Sequence, residues 1–78
     1  MKIFVTVETV DGTAIADVFV QISITEPNFI GEAITEIDGK AEFEFESGCY
    51  DTVDCIVYCN GMQRGMFRVS DNEHLVVS

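Results

Sequence analysis

Cys49, Cys55, Cys59 and the lone His74 are the residues of this chain best suited to hold a soft metal, and their spacing argues against the sites they could build. Cys-x5-Cys-x3-Cys lacks the tight Cys-x-x-Cys pair of a zinc site, and no second histidine accompanies it. Cys55 and Cys59 share one face of an extended segment four residues apart, so their Cα atoms lie ~13 Å apart at strand rise. A disulfide needs less than about 7 Å. Cys49 sits at a turn with the opposite parity, and three is an odd number. All three read as reduced, with Cys55 and Cys59 serving as small core hydrophobes.

Acid–base and nucleophilic chemistry fare no better. A nucleophile needs a base and a group that orients the base. His74, beside Glu73, reads instead as an exposed turn histidine. Glu42, Glu44 and Glu46 form a comb on a solvent face, without the burial that makes a carboxylate a general acid. Such a comb guards a strand against edge-to-edge association. Asp11, Asp38 and Asp51 could gather at one end of a sandwich, but no Asp-x-Asp-x-Asp calcium loop is present, and turn chemistry explains an Asp before Gly. No Gly-rich phosphate cradle occurs. The reading is a chain without catalytic residues, cofactor or metal.

The elements that position these side chains are strands. In Thr35-Glu36-Ile37-Asp38-Gly39-Lys40-Ala41-Glu42-Phe43-Glu44-Phe45, a turn pair leads into strict apolar–acidic alternation, which suits only a strand with one dry face. Turn signals recur about every ten residues, at Asp11-Gly12, Glu26-Pro27-Asn28, Asp38-Gly39, Ser47-Gly48, Asn60-Gly61 and Asp71-Asn72, and no window has a helical period. The spacing predicts a single domain over 1–78, all-β, an antiparallel Greek-key sandwich of about seven strands.

The first strand, about Lys2 to Thr9, turns Ile3, Val5 and Val7 inward. The second, about Asp17 to Thr25, turns in Val18, Val20, Ile22 and Ile24. A short third strand, Glu32 to Ile37, enters a two-residue hairpin at Asp38-Gly39. That hairpin pairs Ile34 with Phe43 and puts residues 34, 41, 43 and 45 on the core side. Val53, Cys55, Val57 and Cys59 form the dry face of the next strand. A three-residue loop, Asn60 to Met62, then pairs Val57 with Gly65, Cys55 with Phe67 and Val53 with Val69. The outer face gains Asp54–Arg68, Ile56–Met66 and Tyr58–Arg64 pairs, each worth a few tenths to ~1 kcal/mol. A last strand, around Leu75 to Val77, closes the sheet and turns Leu75 and either Val77 or Val76 inward.

Composition narrows the partners. Fourteen acids against four bases give a formal net charge of −10, which opposes nucleic acid and anionic membrane surfaces. No segment approaches the ~20 apolar residues of a membrane-spanning helix. Met1-Lys2 runs directly into a strand pattern rather than a signal peptide, so synthesis in a cytoplasm is expected. A domain of this size is stable by only about 5 kcal/mol at best, and a partner surface would help it.

The order Val5-x-Val7, Asp11-Gly12, Ile15-Ala16-Asp17-Val18-x-Val20, Thr35-x-x-Asp38-Gly39-x-Ala41-x-Phe43 and Gly48-x-Tyr50-Asp51 resembles the transthyretin-like sandwiches. These include the carboxypeptidase regulatory-like domains and the B-type repeats of collagen-binding adhesins. The resemblance covers about Ile3 to Tyr50 and extends less fully to Val69. It implies that the Asp-Gly turn, the Ala-x-Phe strand and the Gly-x-Tyr turn are scaffold. The chain departs from the family at Ala14-Ile15-Ala16-Asp17-Val18, where Pro-Ile/Leu-x-Gly-Val is usual. The isopeptide bond common in adhesin repeats lacks a core-facing lysine here, since Lys2 and Lys40 both face away. A hydrolase of the same group uses histidines, an arginine and a Tyr-Arg-Gly-Ser terminus, which Leu75-Val76-Val77-Ser78 does not reproduce.

Surface apolarity remains. With Ile3 to Val7 inward, Phe4 faces out, and Phe19 does likewise on the second strand. Phe29 and Ile30 fall in the loop after Pro27. Phe4, Phe19, Phe29 and Ile30 are therefore the candidate interface. The function expected is a non-catalytic structural or interaction module, a small accessory or decoration subunit docking on a larger assembly such as a bacteriophage virion. Its partner is another protein or further copies of itself. The alternatives are an adhesion-type module of a surface or secreted protein, and the small-ligand hydrolase.

Overall fold

Period-two burial produces strands and nothing else. A computed structural model describes residues 1–78, with β1 at Lys2–Val7, β2 at Phe19–Ile24, β3 at Phe29–Ile34, β4 at Lys40–Glu44, β5 at Thr52–Cys59, β6 at Met62–Ser70 and β7 at Glu73–Val77. They form a three-stranded sheet, β4-β1-β7, and a four-stranded sheet, β3-β2-β5-β6. The two pack face to face around one apolar cluster of 17 buried residues. Ile3, Val5 and Val7 of β1, Val20, Ile22 and Ile24 of β2, and Val53, Cys55, Val57 and Cys59 of β5 all point into it. Ala41, Phe43 and Phe45, then Leu75 and Val77, join from the three-stranded sheet and its margin, and Val18 and Val69 complete it.

The sheets are not wholly antiparallel. β1 and β7 run parallel, from Ile3 opposite Glu73 to Val7 opposite Val77. The cause lies in the β6–β7 connection. β6 ends at the edge of the four-stranded sheet, and the chain turns through Asp71-Asn72 into the other sheet at the end where β1 begins. There the Lys2 N–H donates to Asp71 Oδ1 at 2.7 Å, and the Asn72 N–H donates to the Lys2 carbonyl at 2.7 Å. Starting from the same end, the two strands must run the same way.

The expected hairpin at Asp38-Gly39 is a turn between sheets. β3 occupies Phe29–Ile34 and pairs with β2, while β4 pairs with β1, so Ile34 and Phe43 are not partners. Ile34 consequently faces outward, with 61 % of its surface exposed. The Asp-Gly chemistry is nonetheless used. Asp38 Oδ1 accepts from the Lys40 N–H at 3.0 Å, and the Gly39 N–H donates to the Glu36 carbonyl at 2.8 Å. Gly39 has φ 76°, and a Cβ there would lie 2.8 Å from the Val7 carbonyl oxygen. Both the backbone region and the space exclude a side chain. Gly39→Ala is expected to lower the urea unfolding free energy by about 1–2 kcal/mol. An unchanged midpoint would show that this turn is not held against β1.

Thr35 marks where β3 leaves its sheet. It is buried, and its hydroxyl donates to the Ile15 carbonyl at 2.8 Å while accepting from the Val18 N–H at 2.9 Å. Its own N–H donates to the Val18 carbonyl, and its carbonyl accepts from the Asp17 N–H, both at 3.0 Å. One threonine thus ties the long β1–β2 connection to the end of β3.

The β5–β6 register agrees with the sequence reading from Val53–Val69 to Val57–Gly65. The extra residue sits elsewhere. Cys59 pairs with Met62 across a two-residue Asn60-Gly61 turn, and the register shifts between Val57 and Tyr58, leaving Arg64 as a bulge. Tyr58 therefore faces Gln63 instead of Arg64. Asn60 and Gly61 have φ of 50° and 83°, the pair of positive values that a tight hairpin turn demands.

Candidate functional site

The side chains able to do chemistry stand apart. His74 lies on β7, not in a turn, and its ring stacks on Phe4 at 4.5 Å between centroids and 11° between planes. Lys2 Nζ meets Glu42 Oε1 at 3.1 Å on the outer face of the three-stranded sheet. That hydrogen bond and charge, with Glu44 and Asp71 nearby, hold the Lys2 ammonium above its ordinary pKa. Asp11 accepts from the Thr9 and Thr13 hydroxyls and the Thr13 N–H, which lower its pKa within the β1–β2 connection. No three His, Cys, Asp or Glu side chains converge in a metal-binding group.

The cysteines are free, with Cys49 exposed and Cys55 and Cys59 buried. Burial pushes the Cys55 thiol from its ordinary 9.0 up to about 11. The Cys59 thiol is also raised by burial, with Arg64 pulling the other way. For Cys55 the sign is unambiguous. Below pH 9 the thiol is protonated whether the chain is folded or not, and stability is full. Between pH 9 and about 11 the unfolded chain ionises and the folded one does not, so stability falls. The loss should reach about 2 kcal/mol after allowance for partial solvent contact. Urea midpoints at pH 7.5 and 10.5 measure it, and Cys55→Val should lose correspondingly less on going alkaline. Equal losses in the two proteins would refute the assignment.

The four residues singled out for an interface do not form one patch. Phe4 lies on the outer face of the three-stranded sheet, half-buried beneath His74. Phe29 belongs to β3, not to a loop, and points inward, its ring stacked on Phe45 at 4.9 Å. Phe29 thus packs against the core. Phe19 and Ile30 do share a surface, the outer face of the four-stranded sheet, where they are 38 % and 68 % exposed.

That face brings Phe19, Ile30, Ile34, Ile56 and Met66 together. Registers across its strands align Ile30, Ser23, Ile56 and Met66 in one row, and Glu32, Gln21, Tyr58 and Gln63 in the next. Phe19 and Ile34 pair beyond them. Met66 is 65 % exposed. Two shallow hollows of about 330 and 360 Å³ flank Ser23, one lined by Ile56 and Met66, the other by Ile30 and Tyr58. The polar groups here are mutually engaged. Gln21 Nε2 donates to Glu32 Oε2 at 2.9 Å, and Arg68 Nη1 to Asp54 Oδ1 at 3.1 Å. Both members of the Arg68–Asp54 pair are largely exposed, so it contributes only a few tenths of a kcal/mol.

No protein-family model, curated protein or solved structure matches this chain.

A second concave feature, half apolar and half charged, lies at the sandwich edge where β3 and β4 end their respective sheets. A groove of about 380 Å³ runs there, lined by Phe4, Ala33, Ile34, Glu36, Lys40 and Glu42. Ile34 links the groove to the apolar face. Ile56 and Met66 form the cross-strand apolar pair expected on the wet side, and that pairing is the sequence signal that places them on this outer face. Ile34 was hidden, because the hairpin reading assigned it to the core.

Proposed function

We propose that this chain is a non-catalytic structural and interaction module, a small accessory or decoration subunit that docks on a larger assembly, with a bacteriophage virion as the concrete case. The observation that carries the reading is the uncovered row Ile30–Ser23–Ile56–Met66 with Phe19 and Ile34 beside it. An interface core is poor in charge and rich in aliphatic and aromatic side chains and Met, and this face has that composition. The free edges of β3 and β4 add unpaired main-chain groups beside the Phe4 groove, which suits strand addition by a partner. Acidic loops at both ends of the strands are left to solvent or to basic neighbours, and a net charge of −10 supports protein over nucleic acid or anionic membrane. Three unpaired thiols support synthesis and assembly in a reducing compartment.

The finer architecture belongs to the same proposal. The β1–β2, β3–β4, β4–β5 and β6–β7 connections all cross between sheets, which supports a Greek-key arrangement. Asp17 takes φ 62° at the position where transthyretin-like sandwiches usually carry Gly. Its left-handed backbone supports that likeness despite the changed residue. Scattered ionisable groups, with His74 against Phe4 and Lys2 on Glu42, support the non-catalytic reading.

Size-exclusion chromatography with light scattering tests the docking. The chain should co-elute with a candidate host particle, and Phe19→Ser with Ile30→Ser should elute alone while remaining folded. Free elution of the native chain from every candidate particle, or unimpaired binding of the variant, would defeat the reading.

A further inference from the structure

Resting on the docking role just proposed, the free edges of the sandwich differ in a way that names the segment a partner would present. Exposed edge strands are ordinarily blunted by charge, proline or a bulge. On β4 the Met1–Phe45 and Val7–Gly39 main-chain bonds set the alternation, so Ala41 and Phe43 bond to β1 while Glu42 and Glu44 turn their main-chain groups outward. Each residue able to receive a new strand there carries a carboxylate. β6 is broken by the Arg64 bulge. β3 has neither device, and its register with β2 runs unbroken from Phe29 to Ile34.

The Thr35 N–H donates to the Val18 carbonyl, and the Asn60 N–H to the Phe19 carbonyl. Carried along the register, that alternation joins Phe29, Gly31 and Ala33 to β2 and leaves the N–H and carbonyl groups of Ile30, Glu32 and Ile34 facing outward. The side chains of the same three residues are exposed on the outer face. An added strand therefore meets isoleucine, glutamate and isoleucine in turn. Glu32 receives only the neutral Gln21 amide. Residues 25–39 hold Glu26, Glu32, Glu36 and Asp38 and no Lys or Arg, with Lys40 the first base beyond them.

We propose that the β3 edge receives an extended segment of the partner as an antiparallel strand, with the order apolar-x-Lys/Arg-x-apolar. The apolar residues face Ile34 and Ile30 and the cation faces Glu32, each pair exchanging two main-chain hydrogen bonds. Main-chain bonds supply the affinity and the alternate side chains the selectivity. The residue between the first apolar position and the cation faces Ala33, over the groove of about 380 Å³. The chain's own Met62-Gln63-Arg64-Gly65-Met66 has this order, but its bulge breaks the alternation that would place Met62, Arg64 and Met66 on one face. A second copy is not the occupant. So short a segment binds weakly, with Kd of about 0.1–1 mM for an isolated peptide.

The test is a titration of the whole isotope-labelled chain with the end-blocked peptide Thr-Val-Gln-Arg-Ser-Val-Thr, followed by amide resonances. The amides of Glu32 and Ile34 should shift saturably and gain protection from hydrogen exchange. Those of Gly31 and Ala33, already bonded to β2, should keep theirs. N-methylation of the peptide Arg, whose N–H faces β3, should weaken binding about tenfold. N-methylation of the Ser, whose N–H faces away, should change it less than about twofold. A peptide with Glu in place of Arg should bind several-fold more weakly, and Glu32→Arg should reverse that preference. Equal effects of the two N-methyl groups would mean attraction by charge alone and would overturn the proposal. So would saturable shifts on Glu42 and Glu44 instead of β3, or no saturation by about 5 mM peptide. Protection of the Glu32 amide at high chain concentration without peptide would assign the edge to a second copy and overturn it too. Should Glu32→Arg fold poorly, the two N-methyl peptides on the native chain decide the question. Particle co-elution is scored separately, so a chain that docks but ignores the peptide and a chain that binds the peptide but does not dock are distinct results.

Discussion

Ile22→Ala is expected to remove about 3–4 kcal/mol of stability, most of what a domain of this size possesses. Ile22 is fully buried at the centre of the four-stranded sheet, paired with Gly31 on one side and Val57 on the other. Large-to-small changes cost least where neighbours can collapse into the space. Here the nearest small residue is Gly31, and a Cβ on Gly31 would already lie 2.8 Å from the rings of Phe29 and Phe43. Those rings are fixed in turn, Phe29 by its stack on Phe45. The cavity therefore stays open, and the transfer loss is joined by the cost of the void. Urea unfolding followed by tyrosine fluorescence or circular dichroism measures the change. A loss below about 1 kcal/mol would mean the core is loosely packed at its centre.

Thr35→Val should cost about 2–4 kcal/mol although it preserves volume. The substitution leaves the Val18 N–H and the Ile15 carbonyl, both served by one hydroxyl, without their partner. Each buried group left unmade costs about 1–3 kcal/mol, and the two lie on the same connection. The consequence is local as well as global. The Val18 amide should lose protection from hydrogen exchange far more than the amides of β5. Thr35→Ser, which keeps the hydroxyl, should recover most of the stability. If Val and Ser variants unfold at the same urea concentration, the threonine contributes packing alone and the bridging role fails.

Much of this fold is legible in the residues, for a reason those two substitutions illustrate. Alternation is a local property, and it places the inward side chains of β1, β2 and β5 without knowledge of their partners. The β5–β6 register is legible because pairing Asp54 with Arg68 and Ile56 with Met66 is coherent only one way. Partner choice between distant strands leaves no such mark. An Asp-Gly turn satisfies its own hydrogen bonds through Asp38, Gly39 and Glu36 whether or not the flanking strands pair, so it could not reveal that β4 joins β1. The parallel β1–β7 pair is likewise set by where the chain crosses between sheets, and the Arg64 bulge follows from the two-residue Asn60-Gly61 turn.

The candidate site divides along the same line. Parity alone puts Phe19 on the wet side of β2, and register alone joins Ile56 to Met66. Ile30 becomes part of that surface, and Phe29 part of the core, only when β3 is known to begin at Phe29 and to pair with β2. Thr35, which looks polar and therefore exposed in the sequence, is buried because its position at a sheet crossing offers both a donor and an acceptor.

On the proposed docking role, the row on the outer face of the four-stranded sheet is surplus to folding and is kept apolar for a partner. The urea unfolding free energy of the double variant Ile30→Ser, Met66→Ser tests that claim most directly. It should lie within about 0.5 kcal/mol of the native chain per substitution, as exposed positions do. A loss of several kcal/mol, approaching that of Ile22→Ala, would show these side chains to be part of the core and would contradict the account.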